Sequence, residues 1–249
     1  MPSNKRHECT QIQLRNDPRY NPAELTLGLR IQAHKPQYVL EMVKRLANTP
    51  NSARDHDKEC FIFIYKTYQN WTLDDFHQAL YPDYVQRTMD LLDSYFFARS
   101  LTDKPLTRGW AALTGLYVEA NVFAEGGRGH QERLELPREL NVAGLASGRG
   151  GRTTIFIDAL DNGVPRTFKS IVEILVHEMA HAIYMSFACN CVDCNTGGPE
   201  VLGYSHMRGH GLLWVEMMEH MMFEIQSWHE DLSDFLSIEE IMRHHRLQL

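Results

Sequence analysis

The segment "FKSIVEILVHEMAHAIY", Phe168 to Tyr184, constrains the chain most, because it reads as an amphipathic helix with an H-E-x-x-H on its polar side. With His177 taken as zero and about 100° per residue, His181 falls at about 40°, so the two imidazoles stand one turn apart on one face. Phe168, Ile171, Val172, Leu175, Met179, Ala182 and Ile183 fall between about 120° and 240°, opposite the histidines. Ile174 is the exception at about 60°, and Glu178 lies on the flank at about 100°. The pattern predicts a helix from Arg166 to Phe187 with its apolar stripe in the core and its histidines facing out of it.

That arrangement is what a metal-dependent hydrolase requires. Two neutral imidazoles at i and i+4 supply two ligands of a zinc ion. The glutamate beside them is poorly placed to ligate but well placed to accept the proton of an attacking water. His177 and His181 are therefore read as zinc ligands and Glu178 as the catalytic base. Tyr184, at about −20° on the histidine face, is read either as a hydrogen-bond donor to an oxyanion or as packing at the cleft wall.

A catalytic zinc usually takes a third protein ligand and leaves a fourth position open. The metzincin extension fails, since Tyr184 and Phe187 stand where its glycine and histidine belong. Glu200, Glu216, Glu219, His206 and His210 are all downstream donors. His210 is the best of these, at a loop-to-helix junction between Gly209 and Gly211.

The pair "FKSIVEILVHEMAHAIY" and "GHGLLWVEMMEHM" resembles the Spartan-related SprT-like zinc metallopeptidase family over roughly residues 85 to 228. The resemblance implies an H-E-x-x-H helix preceded by short strands, with the third histidine in a G-H-G segment opening the next helix. It carries the ligand roles to His177, His181 and His210 and the base role to Glu178. It also implies a polypeptide substrate, and the family's association with DNA makes a protease acting on DNA-bound proteins an alternative. A zinc-binding recruitment or scaffold module with negligible turnover is the other alternative.

The rest of the chain fits an α+β organisation. "PQYVLEMVKRLANTP" reads as a helix and "NSARDHDKE" as a charged connector. "CFIFIYKTY" reads as a strand from its β-branched and aromatic residues. "TLDDFHQAL" reads as a helix opened by Thr72 and Asp75, and residues 83 to 100 as a longer amphipathic helix. "LTGLYVEANVF", "ERLELP" and "TTIFIDAL" read as three short strands, separated by the glycine-rich loops "EGGRGH" and "ASGRGGR". A helix from about His210 to Ser227 and a last one over "SIEEIMRHH" complete the pattern. Short strands with helices segregated around them predict an α+β, minimal zincin-like domain, with a small antiparallel or mixed sheet of about three strands. The expected layout is an extension at 1–82, the catalytic domain at 83–228 and an acidic helical tail at 229–249. In such a layout "TTIFIDAL" is expected as the exposed edge that pairs with an extended substrate.

Charge and cysteine content narrow the partners. The net charge is −7, and from Glu216 onward eight acids face only Arg243 and Arg246, so the remainder is near neutral. Arg128, Arg149 and Arg152, in the glycine-rich stretches, leave room for a nucleic-acid partner or are simply solvated. Cys189, Cys191 and Cys194 could join His206 in a second, structural zinc site, or be loop thiols without a role. Trp214, Met217, Met218 and Met221 form a helical stripe read as core beneath the zinc site. No signal-like or membrane-spanning run is evident, so an intracellular, cytoplasmic or nuclear, chain with no membrane partner is expected.

Overall fold

The computed structural model describes residues 34–72, 74–76, 81–102, 117–123, 144–149, 152–161, 164–188 and 210–237. In chain order these form α1 (Pro36–Ala47), α2 (Ser52–Tyr68), α3 (Tyr81–Phe97), β1 (Tyr117–Phe123), β2 (Gly144–Arg149), β3 (Arg152–Asp158), β4 (Leu160–Asp161), β5 (Val164–Pro165), α4 (Phe168–Phe187), α5 (Leu212–Gln226) and a 3₁₀ turn (Glu230–Leu232). The chain mixes helices with small sheets, as an α+β class requires. None of the described helices is long and apolar enough to cross a membrane.

The main sheet runs in the order β1-β3-β2, with β1 parallel and β2 antiparallel to β3. β4 and β5 form a separate antiparallel pair. β3 is therefore central, with ladder bonds on both sides. The expectation that "TTIFIDAL" is a substrate-binding edge is overturned: its backbone groups are already paired to β1 and β2. Among the described residues the edges are β1 and β2.

Two further expectations need correction. "CFIFIYKTY" is not a strand but the second half of α2, and "NSARDHDKE" is its beginning rather than a connector. Asn51 caps the helix by accepting from the Ala53 amide at 2.7 Å. On a strand Phe61, Phe63 and Tyr65 would share one face. Here Phe61 and Tyr65 are buried while Phe63 is 69% exposed, which is the i, i+4 pattern of a helix with one face inward. β-branched content misleads because tertiary burial of one stripe outweighs a propensity difference of about 0.5 kcal/mol per residue. Likewise the described residues of "ASGRGGR", Ala146 to Arg149 and Arg152, lie in strands and not in a loop. β2 and β3 run into that stretch as far as Arg149 and Arg152, which face each other in register with only Gly150 and Gly151 between them in the sequence. Glycine argued for a loop because it offers nothing to pack, but at Gly144 its smallness is what lets β2 approach α4.

Of the helix expected over "TLDDFHQAL", the described residues 74–76 form a turn and bend, with the Thr72 amide donating to Asp75 Oδ2 at 2.7 Å. The strand expected over "ERLELP", the loop "EGGRGH" and the last helix beyond Ser237 lie outside the described residues.

α4 is the spine of the core. Phe168, Ile171, Val172, Leu175, Met179, Ala182 and Ile183 are all fully buried, as are Val176 and Ala180. At about 1.5–3 kcal/mol for each large side chain, this burial far exceeds the contribution of the Thr167 cap, whose hydroxyl accepts from the Ser170 amide. Packing, not capping, sets where α4 lies. Against it sit Ile155 and Ile157 of β3, Ala146 of β2, and the Trp214, Met217, Met218 and Met221 stripe of α5. α1 and α2 join the same core through Val39, Val43, Phe61 and Tyr65.

Candidate metal centre

α4 presents His177 and His181 one turn apart, and α5 begins just after His210. The three imidazoles converge. Their ring centroids lie 5.1 Å (His177–His181), 5.0 Å (His177–His210) and 4.8 Å (His181–His210) apart. One nitrogen from each comes within 4.8 Å of the other two. The Nε2 atoms of His177 and His210 are 3.1 Å apart.

Those spacings suit a small cation. Zinc with nitrogen ligands at about 2.0–2.1 Å in tetrahedral arrangement places its ligand atoms about 3.3 Å from each other. The donor chemistry also fits, because a ligating imidazole must be neutral. His181 is held so: burial, helped by the nearby His210, pushes its pKa down to about 3. Among the described residues this is the only group of three or more His, Cys, Asp or Glu side chains able to hold a metal.

Glu178 stands beside the cage and almost out of water, at 6% exposure. Its two oxygens differ. Oε2 accepts the Ala146 amide of β2 at 2.7 Å, and Oε1 lies 3.9 Å from His177 Nε2. Burial raises its pKa to about 8, only partly offset by the Ala146 hydrogen bond. β2 makes the approach with Gly144 directly over the glutamate. A Cβ there would come within 2.5 Å of Ile174 Cγ2 and 2.9 Å of Glu178 Cγ and Oε1. Neither Gly144 nor Ala146 was singled out in the sequence as part of the site. The only signal is a small-residue run, "GLASG", between strand-like stretches.

Tyr184 is 1% exposed and its hydroxyl donates to the Leu213 carbonyl at 2.9 Å. That proton ties α4 to the first turn of α5 and is not offered to a substrate oxyanion while the bond lasts. Its burial and this bond are those of a side chain packed between the two helices. Of the alternative third ligands, Glu216 is paired with Lys44 at 3.2 Å on the surface, and Glu219 is not grouped with the histidines. Glu200, His206, Cys189, Cys191 and Cys194 lie outside the described residues, as does Arg128. Arg149 and Arg152 stand opposite one another at the end of the β2–β3 ladder, in strands and not in a loop.

Comparison with family models, with curated proteins and with solved structures gives no match to this chain.

Proposed function

We propose that the chain is a zinc-dependent endopeptidase with a minimal zincin-like domain of the SprT-like type. The observation that carries the reading is the convergence of His177, His181 and His210 from two separate segments, with Glu178 beside them. These three histidines would hold the ion. A zinc ion bound there supplies Lewis-acid polarisation of a peptide carbonyl and lowers the pKa of a water molecule.

The chain's own residues supply the proton traffic. Glu178 Oε2 is anchored by Ala146, which leaves Oε1, on the histidine side, as the proton acceptor. Oε1 takes one proton from the water as its oxygen bonds to the peptide carbonyl carbon, and delivers it to the departing amine nitrogen as the C–N bond breaks; the second proton passes from the new carboxylic acid to the amine, leaving a carboxylate and an ammonium.

A second reading is a zinc-binding recruitment module with negligible turnover. The commitment of Glu178 to the Ala146 amide, deep in the fold, favours it. Purified protein separates the two. On the protease reading Glu178→Gln retains its zinc but loses casein hydrolysis by about 10²–10⁴-fold, and His210→Ala loses the zinc. Casein cleavage by Glu178→Gln at the parent's rate would remove the mechanism. Absence of metal-dependent cleavage by a zinc-loaded parent would leave the recruitment module.

A further inference from the structure

The metal centre has a fourth aromatic member whose position no ligand role explains. Trp214 is 1% exposed. Its ring centroid lies 4.3 Å from that of His210, 4.7 Å from His177 and 5.0 Å from His181. It is nearly parallel to His181, at 21°, and tilted by 46° and 63° to the other two. One indole thus touches every imidazole of the cage.

We propose that Trp214 is a positioning residue for the metal: a rigid platform that pre-sets all three histidine rings and favours their metal-bound state. The proposal rests on the metal-site reading above. Trp214 lies in the first turn of α5, and His210 directly precedes the N-cap Gly211, where the extended backbone brings its ring to 4.3 Å from the indole. The turn that carries the indole is held from the other helix, because Tyr184 of α4 donates to the carbonyl of the adjacent Leu213. The ligand helix and the platform helix are therefore tied together beside the site.

Two physical effects follow. An imidazole's χ2 torsion is broad, so free histidines must lose that freedom when they aim a lone pair at a metal. Packing against one indole removes the freedom beforehand. Metal coordination also withdraws electrons from the imidazoles and leaves them partly positive. The face of an indole is electron-rich and attracts such rings more strongly than neutral ones. Leucine in the same place supplies bulk but neither effect, and phenylalanine supplies a smaller plane.

The test uses the full chain as parent, Trp214→Leu, Trp214→Phe and a control, Met218→Ala, which empties a fully buried site on the same helix. Zinc affinity is measured by competition with a chromophoric chelator. The visible bands of the cobalt(II)-loaded proteins report ligand geometry, and thermal unfolding reports stability. Trp214→Leu is expected to weaken zinc by about 10–100-fold, the scale seen when partners of ligating histidines are removed, and to shift the cobalt bands. Trp214→Phe falls between. Met218→Ala lowers the melting temperature while keeping the parent's zinc affinity and bands. Cobalt(II) quenches the parent's tryptophan emission, and Trp214→Phe loses most of that quenching, a readout that survives if the leucine variant does not fold. The platform is overturned if Trp214→Leu or Trp214→Phe binds zinc as tightly as the parent with unchanged bands, or if Met218→Ala weakens zinc equally. A parent that takes up no zinc refutes the metal reading itself, and is seen before any variant is made.

Discussion

Gly144→Ala adds one methyl group where β2 crosses α4. The backbone at Gly144 is one that alanine adopts without strain, so the effect comes from space alone. The new Cβ would lie 2.5 Å from Ile174 Cγ2 and 2.9 Å from Glu178 Cγ, against about 3.5–4.0 Å for an ordinary carbon contact. β2 and α4 must therefore separate locally by about 1 Å. Overpacking of this kind costs about 1–3 kcal/mol. The lost freedom of glycine in the unfolded chain returns about 0.4–1 kcal/mol. The expected net is a loss of about 1–2 kcal/mol in urea unfolding. Activity should suffer more than stability. The same separation stretches the 2.7 Å bond from Ala146 to Glu178, and misplacing a reacting group by about 1 Å costs about 10²-fold in rate. Zinc content should be retained, because the histidines are held by α4 and α5. Ile174→Ala removes the shortest contact, so the double variant should be less destabilised than the sum of the singles by about 1 kcal/mol. A Gly144→Ala protein as stable as the parent, cutting casein at the same rate, would show that β2 does not press on Glu178 and would refute the reasoning.

The metal-free protein should show a particular pH dependence. The folded state holds a proton on Glu178 up to about pH 8 and on buried Asp93 up to about pH 7, above their ordinary values, so both make stability fall as pH rises through those windows. His181, held neutral down to about pH 3, and His220, shifted the same way, oppose this by adding stability as pH rises, complete above their ordinary pKa of 6.5. Of these four groups only the two carboxyls act between pH 6.5 and 8. Chelator-treated parent should lose about 1–2 kcal/mol across that interval, and Glu178→Gln should lose distinctly less in parallel thermal melts. Tyr184→Phe should cost about 1 kcal/mol by removing the hydrogen bond that ties α4 to the Leu213 carbonyl, with casein hydrolysis by the zinc-loaded protein little changed; a loss of about 10²–10³-fold would mean an oxyanion donor after all. Asp93→Ala removes the acceptor for the amides of Leu101 and Thr102 and the Thr102 hydroxyl. It should cost about 2–4 kcal/mol in urea unfolding, since two backbone donors lose their partner, with Asp93→Asn recovering part.

The residues of the candidate site divide cleanly by how far apart in the chain their partners lie. His177, Glu178 and His181 were legible because one helix sets their spacing, and helical geometry is a local property that four or five residues reveal. The stripe opposite them, from Phe168 to Ile183, was legible for the same reason, as was the Trp214 to Met221 stripe of α5. His210 could be ranked first among several donors, but only the packing of α5 on α4 brings its ring within 5.0 Å of His177. The sequence of α2 misleads because β-branched residues between Cys60 and Tyr68 satisfy either period, and only the burial of Phe61 and Tyr65 beside an exposed Phe63 distinguishes them.

Helical periodicity alone thus determined which side chains could present a pair of imidazoles and a carboxylate on one surface of this chain. What surrounds them was decided by tertiary structure. The Ala146 amide on Glu178, the fit of Gly144 beneath Ile174, the tether from Tyr184 to Leu213 and the indole against three imidazoles all join residues about thirty apart or across separate elements. No local pattern encodes them, because each depends on how a β edge and a second helix settle against α4 as their apolar surfaces leave water.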